Sequence, residues 1–267
     1  MTHFRRELND YLLERLRVNS ARTFAPPVTD AVTALIYFFR RPSEIEETFP
    51  LSAAALTETW RHCGLLRTVI VTDTPSAPLR DFAARYANVE IQIEPNLIPG
   101  NIDTLSRDCN GKLYGRFATD YVLTVQDDGF PIRAGLTDFV GKYDFIGAAT
   151  ACRDSFRGNL LCSLLHCNPS NGGFSLRSKR CCRLAADYWN RIYSHRPFTL
   201  SSVEDNFVTR FLPTRHFRFN RCVRIAPPKV ANAFSYQVCP LDSPPRLPFG
   251  FHLAESFHSL RHLLPSD

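Results

Sequence analysis

Tyr121-Val122-Leu123-Thr124-Val125-Gln126-Asp127-Asp128-Gly129 passes from an apolar run straight into two adjacent carboxylates and a glycine. The apolar part is strand-length, and its β-branched residues favour extended backbone. A strand cannot deliver two unpaired carboxylates into a protein interior, because each would cost several kcal/mol without a partner. The pair therefore reads in two ways. It is either a solvated Asp-Asp-Gly turn or a place where a hard divalent cation holds a diphosphate.

Upstream of this stretch the pattern repeats. Val32–Phe39 (VTALIYFF), Arg67–Asp73 (RTVIVTD) and Val89–Ile93 (VEIQI) are strand-like. Helical periods separate them at Leu51–Cys63, opened by Ser52, at Ala77–Tyr86 and at Ile102–Phe117. Continuous apolar strands alternating with helices predict an α/β fold with a mostly parallel central sheet flanked by helices on both faces. In open sheets of this kind ligands bind beyond the carboxyl ends of the strands. Those ends carry Arg40, Asp73 and the pair Asp127–Asp128.

Downstream of Tyr143 the segments shorten. YDFIGAA and GGFSLR are strand-like, and Lys179–Ile192 and Val203–Phe211 are helical. Glu204 and Asp205 fall in the first turn of the second helix, where carboxylates suit the helix dipole. Asn171-Gly172-Gly173 permits either a tight turn or close backbone approach to a ligand. His252 stands between Phe251 and Leu253 and reads as a packed histidine or a ligand. At the other end of the chain, residues 3–18 place Phe4, Leu8, Leu12, Leu13 and Leu16 at helical spacing. This predicts a surface helix packed on the domain, with peripheral contact with an acidic membrane as its second reading. No linker breaks residues 26–267, so one domain is expected behind an N-terminal helical extension, residues 1–25.

Composition narrows the function classes. In 267 residues, 44% hydrophobic and 22% charged with only 12 Gly, there is enough apolar surface for a core and no low-complexity signature. The net charge of +6 favours anionic ligands, yet the arginines form no dense stripe of the kind a duplex binder shows. The best local patch, Arg177, Lys179, Arg180 and Arg183, reads more readily as the solvated face of a helix. No apolar run reaches the roughly 18 residues of a membrane span, and Arg5, Arg6, Glu7 and Asp10 interrupt any secretory h-region. A cytoplasmic location is therefore expected, with the nine cysteines as reduced thiols. Cys162, His166, Cys167, Cys181 and Cys182 crowd together, but their spacing matches no common zinc frame, and buried free thiols are the favoured reading.

Taken in order, YVLTVQDDGFPIR, YDFIGA, NGGFSLRSK, VEDNF and FGFH resemble the successive motifs of a GT-A-type glycosyltransferase. They are similar in particular to a transferase family with the pattern Gln-x-Asp, Asn-Gly-Gly-Phe-Ser-Leu-Arg, Glu-Asp and Phe-Gly-Phe-His. The resemblance covers roughly residues 30–253. It implies a nucleotide-sugar donor, a UDP-sugar first, and a divalent metal, Mn2+ or Mg2+. It further implies a donor half at about 26–130 and an acceptor half at about 131–253. On this resemblance Asp128 and His252 are the metal ligands, and Gln126 and Asp127 flank the donor. Position 126 departs from a strict Asp-x-Asp motif by being neutral. Independently of the resemblance, Arg40 and Asp73, by their strand-end positions, and Arg107, by its nearness in sequence to the acidic motif, are further candidate donor contacts, with Lys112 and Arg116 as equal substitutes. Asn171, Gly172 and Gly173 approach the sugar and acceptor. Asp205 is the catalytic base of an inverting transfer and Glu204 an acceptor ligand, with a retaining mechanism left open. The acceptor is a glycan, a lipid-linked sugar, a protein side chain or a modified nucleobase. Two alternatives compete with this reading: a catalytically degenerate GT-A-like binding or scaffold module, and a nucleotidyltransferase. The second lacks a Gly-rich loop after the first strand, where Arg40-Arg41-Pro42 stands.

Overall fold

The computed structural model describes residues 2–149, 170–237 and 247–264. A six-stranded sheet in the order β3-β2-β1-β4-β6-β5 forms its centre. The strands are β1 (Val32–Tyr37), β2 (Arg67–Thr72), β3 (Val89–Ile93), β4 (Tyr121–Val125), β5 (Phe145–Ala149) and β6 (Ser170–Ser178). The first four run parallel, and β6 lies antiparallel between β4 and β5. The expected mostly parallel α/β sheet is thus the observed one.

Both faces of the sheet are covered, and the strands show it residue by residue. Ala34, Ile36, Ile70, Leu123 and Val125 join a large core on one face. Leu35, Val69, Val71 and Val122, the residues between them, join a second core on the other. This alternation is the two-residue period of a strand buried on both sides. Helices α1 (His3–Asn19), α2 (Ile45–Cys63) and α3 (Ala77–Arg85) close the first face. Residues after α4 (Ile102–Gly111), namely Leu113 and Phe117, close the second together with Cys182 of α5 (Lys179–Tyr188).

Two helices in the first half of the chain depart by several residues from the sequence reading. Helix α2 starts at Ile45 rather than Leu51, with Pro50 inside it and Ser52 buried in its body rather than capping it. Pro50 removes one backbone donor there, and burial of Phe49, Leu51 and Ala53–Leu56 outweighs that loss. The helix expected over Ile102–Phe117 ends at Gly111 and continues as a short 3-10 turn at Leu113–Gly115.

Helix α1 is anchored from several directions. Leu8 and Leu12 are wholly buried in the main core. Arg15 donates to Glu58 of α2 at 2.9 Å, and the Asn19 amide donates to the same carboxylate at 2.7 Å. Burial raises the Glu58 carboxyl, but hydrogen bonds from His62, Arg15 and Asn19 outweigh it and hold the group down at about 2. Nearer its start, Glu7 accepts from His258 at 2.6 Å and pairs with Arg261; these two residues lie in and just after α10. Numbering toward that helix, α6 is Glu204–Asn206, α7 Leu212–Arg215, α8 Phe217–Cys222, α9 Pro228–Phe234 and α10 Ala254–Leu260. No described helix is long and apolar enough to cross a membrane.

The sheet order places the site. The chain lays β2 and β3 outward on one side of β1, then returns to put β4 on the other. The carboxyl ends of β1 and β4 therefore flank a reversal of strand order, the position where open α/β sheets leave a crevice for ligands. Arg40 and Asp127 emerge there from the two strands, 3.9 Å apart.

Candidate functional site

The acidic motif caps β4. Gln126 and Gly129 exchange both backbone hydrogen bonds, at 2.8 and 3.1 Å, so Asp127 and Asp128 form the tip of a tight reversal. The chain near the C terminus is laced to this tip. The Ile132 N–H donates to the Phe249 carbonyl at 2.8 Å, and the Leu253 N–H donates to the Asp128 carbonyl at 2.7 Å. Leu253 takes a positive φ of 77° to make that turn, a conformation that costs an L-residue of this size energy. The Phe-Gly-Phe-His segment is thereby pinned beside the Asp-Asp tip, although 120 residues of sequence separate them.

Asp127 is 7% exposed and faces two guanidinium groups, Arg5 of α1 at 2.5 Å and Arg40 at 3.9 Å. A second nitrogen of Arg5 lies 3.6 Å from Asp128. The Asp128 carboxyl is pushed up to about 6, chiefly by burial and then by the neighbouring Asp127 charge, with Arg5 acting in the opposite direction. The turn is thus neither freely solvated nor fully neutralised.

His252 lies against Gln126, its Nε2 3.2 Å from Gln126 Oε1. The ring is 6% exposed, and burial brings its pKa down to about 4, so it is neutral near pH 7. Its Nδ1 has no hydrogen-bond partner among the described residues. A buried, unpartnered imidazole nitrogen is costly unless something uses it.

Strand β6 joins this half to a second acidic pair. Its register against β5 slips between Gly147, which pairs with Ser175, and Ala148, which pairs with Asn171, bulging Gly172-Gly173-Phe174 out of the ladder. Thr124 of β4 donates to the Gly172 carbonyl at 3.0 Å, and Asn171 Oδ1 accepts the Gly173 N–H at 2.8 Å. The bulge aims its two glycines at different neighbours. A Cβ on Gly173 would meet His252 Nε2 at 2.2 Å and Gln126 Oε1 at 2.4 Å. One on Gly172 would meet Glu204 Oε1 at 2.1 Å and Asp205 Cβ at 3.2 Å. Two adjacent glycines therefore let both polar clusters close on a single backbone segment. Gly173→Ala is expected to force His252 and Gln126 apart and to cost about 1–3 kcal/mol of stability; urea denaturation of the variant checks this.

Glu204 and Asp205 are set by packing behind them. Phe207 and Val208, just after α6, are buried with Phe145 and Trp189 in a third apolar cluster. Glu204 pairs at 3.3 Å with Arg177, a buried residue that also donates to Ser175 Oγ and the Gly172 carbonyl and lies over the Phe145 ring. Asp205 is pushed up to about 7, first by burial and then by the Glu204 charge, while N–H groups of Asn206 and Gly172 pull it back. A cavity of about 350 Å³ begins at the next residue, lined by Asn206, Ser201, Arg210, Phe211, Thr214 and Arg215.

Gln126, Asn171, Gly172, Gly173, Glu204, Asp205 and His252 are thus brought together, and Asp127, Asp128 and Arg40 border them. Arg107 is placed elsewhere. It pairs with Asp103 and donates to the Ser194 carbonyl, in a separate cavity of about 300 Å³ that Lys112 also lines. Lys112 and Arg116 are held by Glu94, and Arg116 also by Asp108. Asp73 stands half-buried just past β2. Of the Arg177–Arg183 patch, Arg177 is buried against Glu204, while Lys179 donates to the Phe117 carbonyl and Arg180 pairs with Asp144 from the surface.

Sequence reasoning missed Arg5 and assigned Arg177 to a surface. A signal existed for both. Arg5 falls three residues before Leu8 and seven before Leu12, on the buried stripe of α1. Arg177 shares the strand face of Ser175 two residues earlier. Among the cysteines, Cys63, Cys109, Cys181 and Cys182 are free and buried, and burial raises each thiol pKa. Cys152, Cys162, His166, Cys167 and Cys239 lie outside the described residues, and with them the crowded Cys–His segment.

The donor set at the acidic turn fits a divalent metal. Two carboxylates offer hard oxygen ligands, and a neutral buried imidazole with an unused nitrogen stands beside them. Among the described residues no group of three or more His, Cys, Asp or Glu is gathered as a ready metal cage. One or two protein carboxylates completed by substrate phosphates is a common arrangement for Mg2+.

No curated protein matches the chain. Among solved structures it is similar to the mannosyltransferase PcManGT from Pyrobaculum calidifontis in complex with GDP-Man and Mn2+, at 13% identity and a TM-score of 0.42 over 83% of this chain and 62% of that one. It is also similar to the apo glycosyltransferase GlyE of Streptococcus pneumoniae TIGR4, at 11% identity and a TM-score of 0.49 over 85% and 54%. A third likeness is to the mannosyltransferase Ktr4p of S. cerevisiae with GDP, at 11% identity and a TM-score of 0.42 over 84% and 78%. The chain spans less than two thirds of the length of the first two. Residues 98–252, which run from just before α4 to the site histidine and take in the acidic turn, the glycine bulge and the Glu-Asp pair, match a family described as "Protein of unknown function (DUF5672)", and the chain belongs to that family.

Proposed function

We propose that the chain is a metal-dependent glycosyltransferase of GT-A type that moves a sugar from a nucleotide-sugar donor to an acceptor hydroxyl with inversion. One observation carries this reading: the Gly172–Gly173 bulge seats Gln126 and His252 on one side and Glu204 and Asp205 on the other. A diphosphate site and a proton-accepting site thus share one wall, which transfer between a donor and an acceptor requires.

Asp128 and His252 would hold the metal, Gln126 and Asp127 would flank the donor, and Arg40 would face the diphosphate. When bound, the metal neutralises charge that develops on the leaving nucleoside diphosphate. The chain's own residues do the rest. Asp205, with a pKa near neutrality, takes the proton of the acceptor hydroxyl; a base is most effective when its pKa lies near the working pH. Arg177 fixes Glu204, which orients the acceptor. The cavity beyond Asn206 receives the rest of the acceptor, and Arg210 and Arg215 in its lining favour an acceptor that carries negative charge.

Thermal unfolding with GDP-mannose, UDP-glucose and the free nucleotides, each with and without Mn2+, tests the reading. A true donor raises the melting temperature only when Mn2+ is present, because binding to the native state alone is linked to its stability. If no nucleotide sugar shifts the transition in either condition, the donor site is lost and the reading falls. Binding without sugar hydrolysis or transfer would favour the catalytically silent module instead, a reading to which the Arg5–Asp127 contact lends weight.

A further inference from the structure

Arg5 lies outside the segment that matches the family, yet it is the group in tightest contact with the acidic turn. Two nitrogens of one guanidinium reach two different carboxylates, Asp127 at 2.5 Å and Asp128 at 3.6 Å. A cation held at this turn would compete with Arg5 for the same carboxylates. The contact does not come from a loose terminus. Behind Arg5, α1 is fixed by the burial of Leu8 and Leu12 and by the Arg15 and Asn19 bonds to Glu58, and in front of them by Glu7 with His258 and Arg261. The backbone stays, so only the Arg5 side chain can yield. Its charge is permanent, since a guanidinium does not lose its proton in a protein.

We infer that Arg5 is a tethered counter-cation of the acidic turn, which a divalent metal must displace in order to bind. This rests on the reading of that turn as the metal site. It follows that the free protein holds metal weakly, and that an incoming diphosphate, by offering the released guanidinium a new anionic partner, makes metal and donor bind together. Arg5 is then a determinant of metal affinity supplied by a helix remote in sequence from the ligands.

The test is a titration of the full chain with Mn2+ alone at low ionic strength, reading free Mn2+ by its electron paramagnetic resonance signal. Arg5→Gln is expected to bind Mn2+ roughly tenfold more tightly than the wild type, because a unit charge in contact with both carboxylates is removed from a half-screened site. Arg5→Lys keeps the charge and stays near the wild type, and it controls for any loss of packing. Asp128→Asn abolishes binding in both backgrounds. Unchanged or weaker binding by Arg5→Gln, with Asp128→Asn still abolishing it, overturns the role of Arg5 and leaves the metal site standing. Binding that ignores Asp128→Asn, or none at any concentration, overturns the metal reading and this inference with it.

Discussion

Asp205→Asn should bind donor with unchanged affinity and turn over at least about a hundredfold more slowly than the wild type, since a positioned general base contributes roughly 10²–10⁴. The substitution is mild in structure. An Asn side-chain oxygen still accepts the Asn206 N–H that Asp205 Oδ1 accepts now, so the start of α6 keeps its contact. What it removes is the ability to take a proton. The wild-type rate carries a second mark of the same group. With a carboxyl pushed up to about 7, the fraction of Asp205 able to act as base rises with pH through neutrality and levels off above it. Single-turnover rates across pH 5–9 should show that limb in the wild type and lose it in Asp205→Asn. A variant within threefold of the wild-type rate would move the base elsewhere, with Glu204 the next group to replace. A slow variant that keeps the pH limb would assign the limb to another residue.

Much of this arrangement was legible because it depends on chain-local signals. The strand ending in Gln126-Asp127-Asp128-Gly129 announces its turn by composition, and the glycine pair at 172–173 announces close approach. The union of distant motifs was legible only as a resemblance. Nothing in the sequence near Asp128 says that the Leu253 N–H will bond its carbonyl. Arg107 shows the reverse failure. Nearness in sequence to the acidic motif suggested a donor contact, yet α4 spans the opposite face of the sheet and turns Arg107 toward Ser194. Arg5 was hidden for a different reason. A charged residue on an amphipathic helix reads as solvated, and only the docking of α1 by Leu8 and Leu12 carries its guanidinium to Asp127, just past the carboxyl end of β4. The start of α2 was placed at Leu51 instead of Ile45 because packing carries the helix through Pro50 against its low propensity.

Asp128→Asn should abolish metal-dependent donor binding and, without ligand, make the protein more stable at pH 7. The two effects share one cause. Burial and the adjacent Asp127 push the folded carboxyl up from 3.8 to about 6, so folding disfavours its charged form. The sign follows from linkage. The advantage that the protonated group gives the folded state is full below about 3.8 and is lost as pH rises through about 6. With a quarter of the side chain exposed, the loss amounts to no more than about 2 kcal/mol after solvent screening. Asparagine carries no charge at either pH, so its stability should not fall across that window, and the Asp128 backbone carbonyl remains for Leu253. Arg5 also keeps its nearer partner, Asp127. Ligand reverses the order. At a hundredfold excess over its dissociation constant, donor with Mn2+ stabilises the wild type by about 2.7 kcal/mol and the variant not at all. Melting curves at pH 4 and pH 7, with and without donor and Mn2+, should therefore cross: variant above wild type when free at pH 7, below it when saturated, and level with it at pH 4. A carboxylate kept only for structure gives no such crossing, because its loss lowers stability whether ligand is present or not. A variant less stable than the wild type in every condition would return Asp128 to the scaffold and leave the proposed metal without its principal ligand.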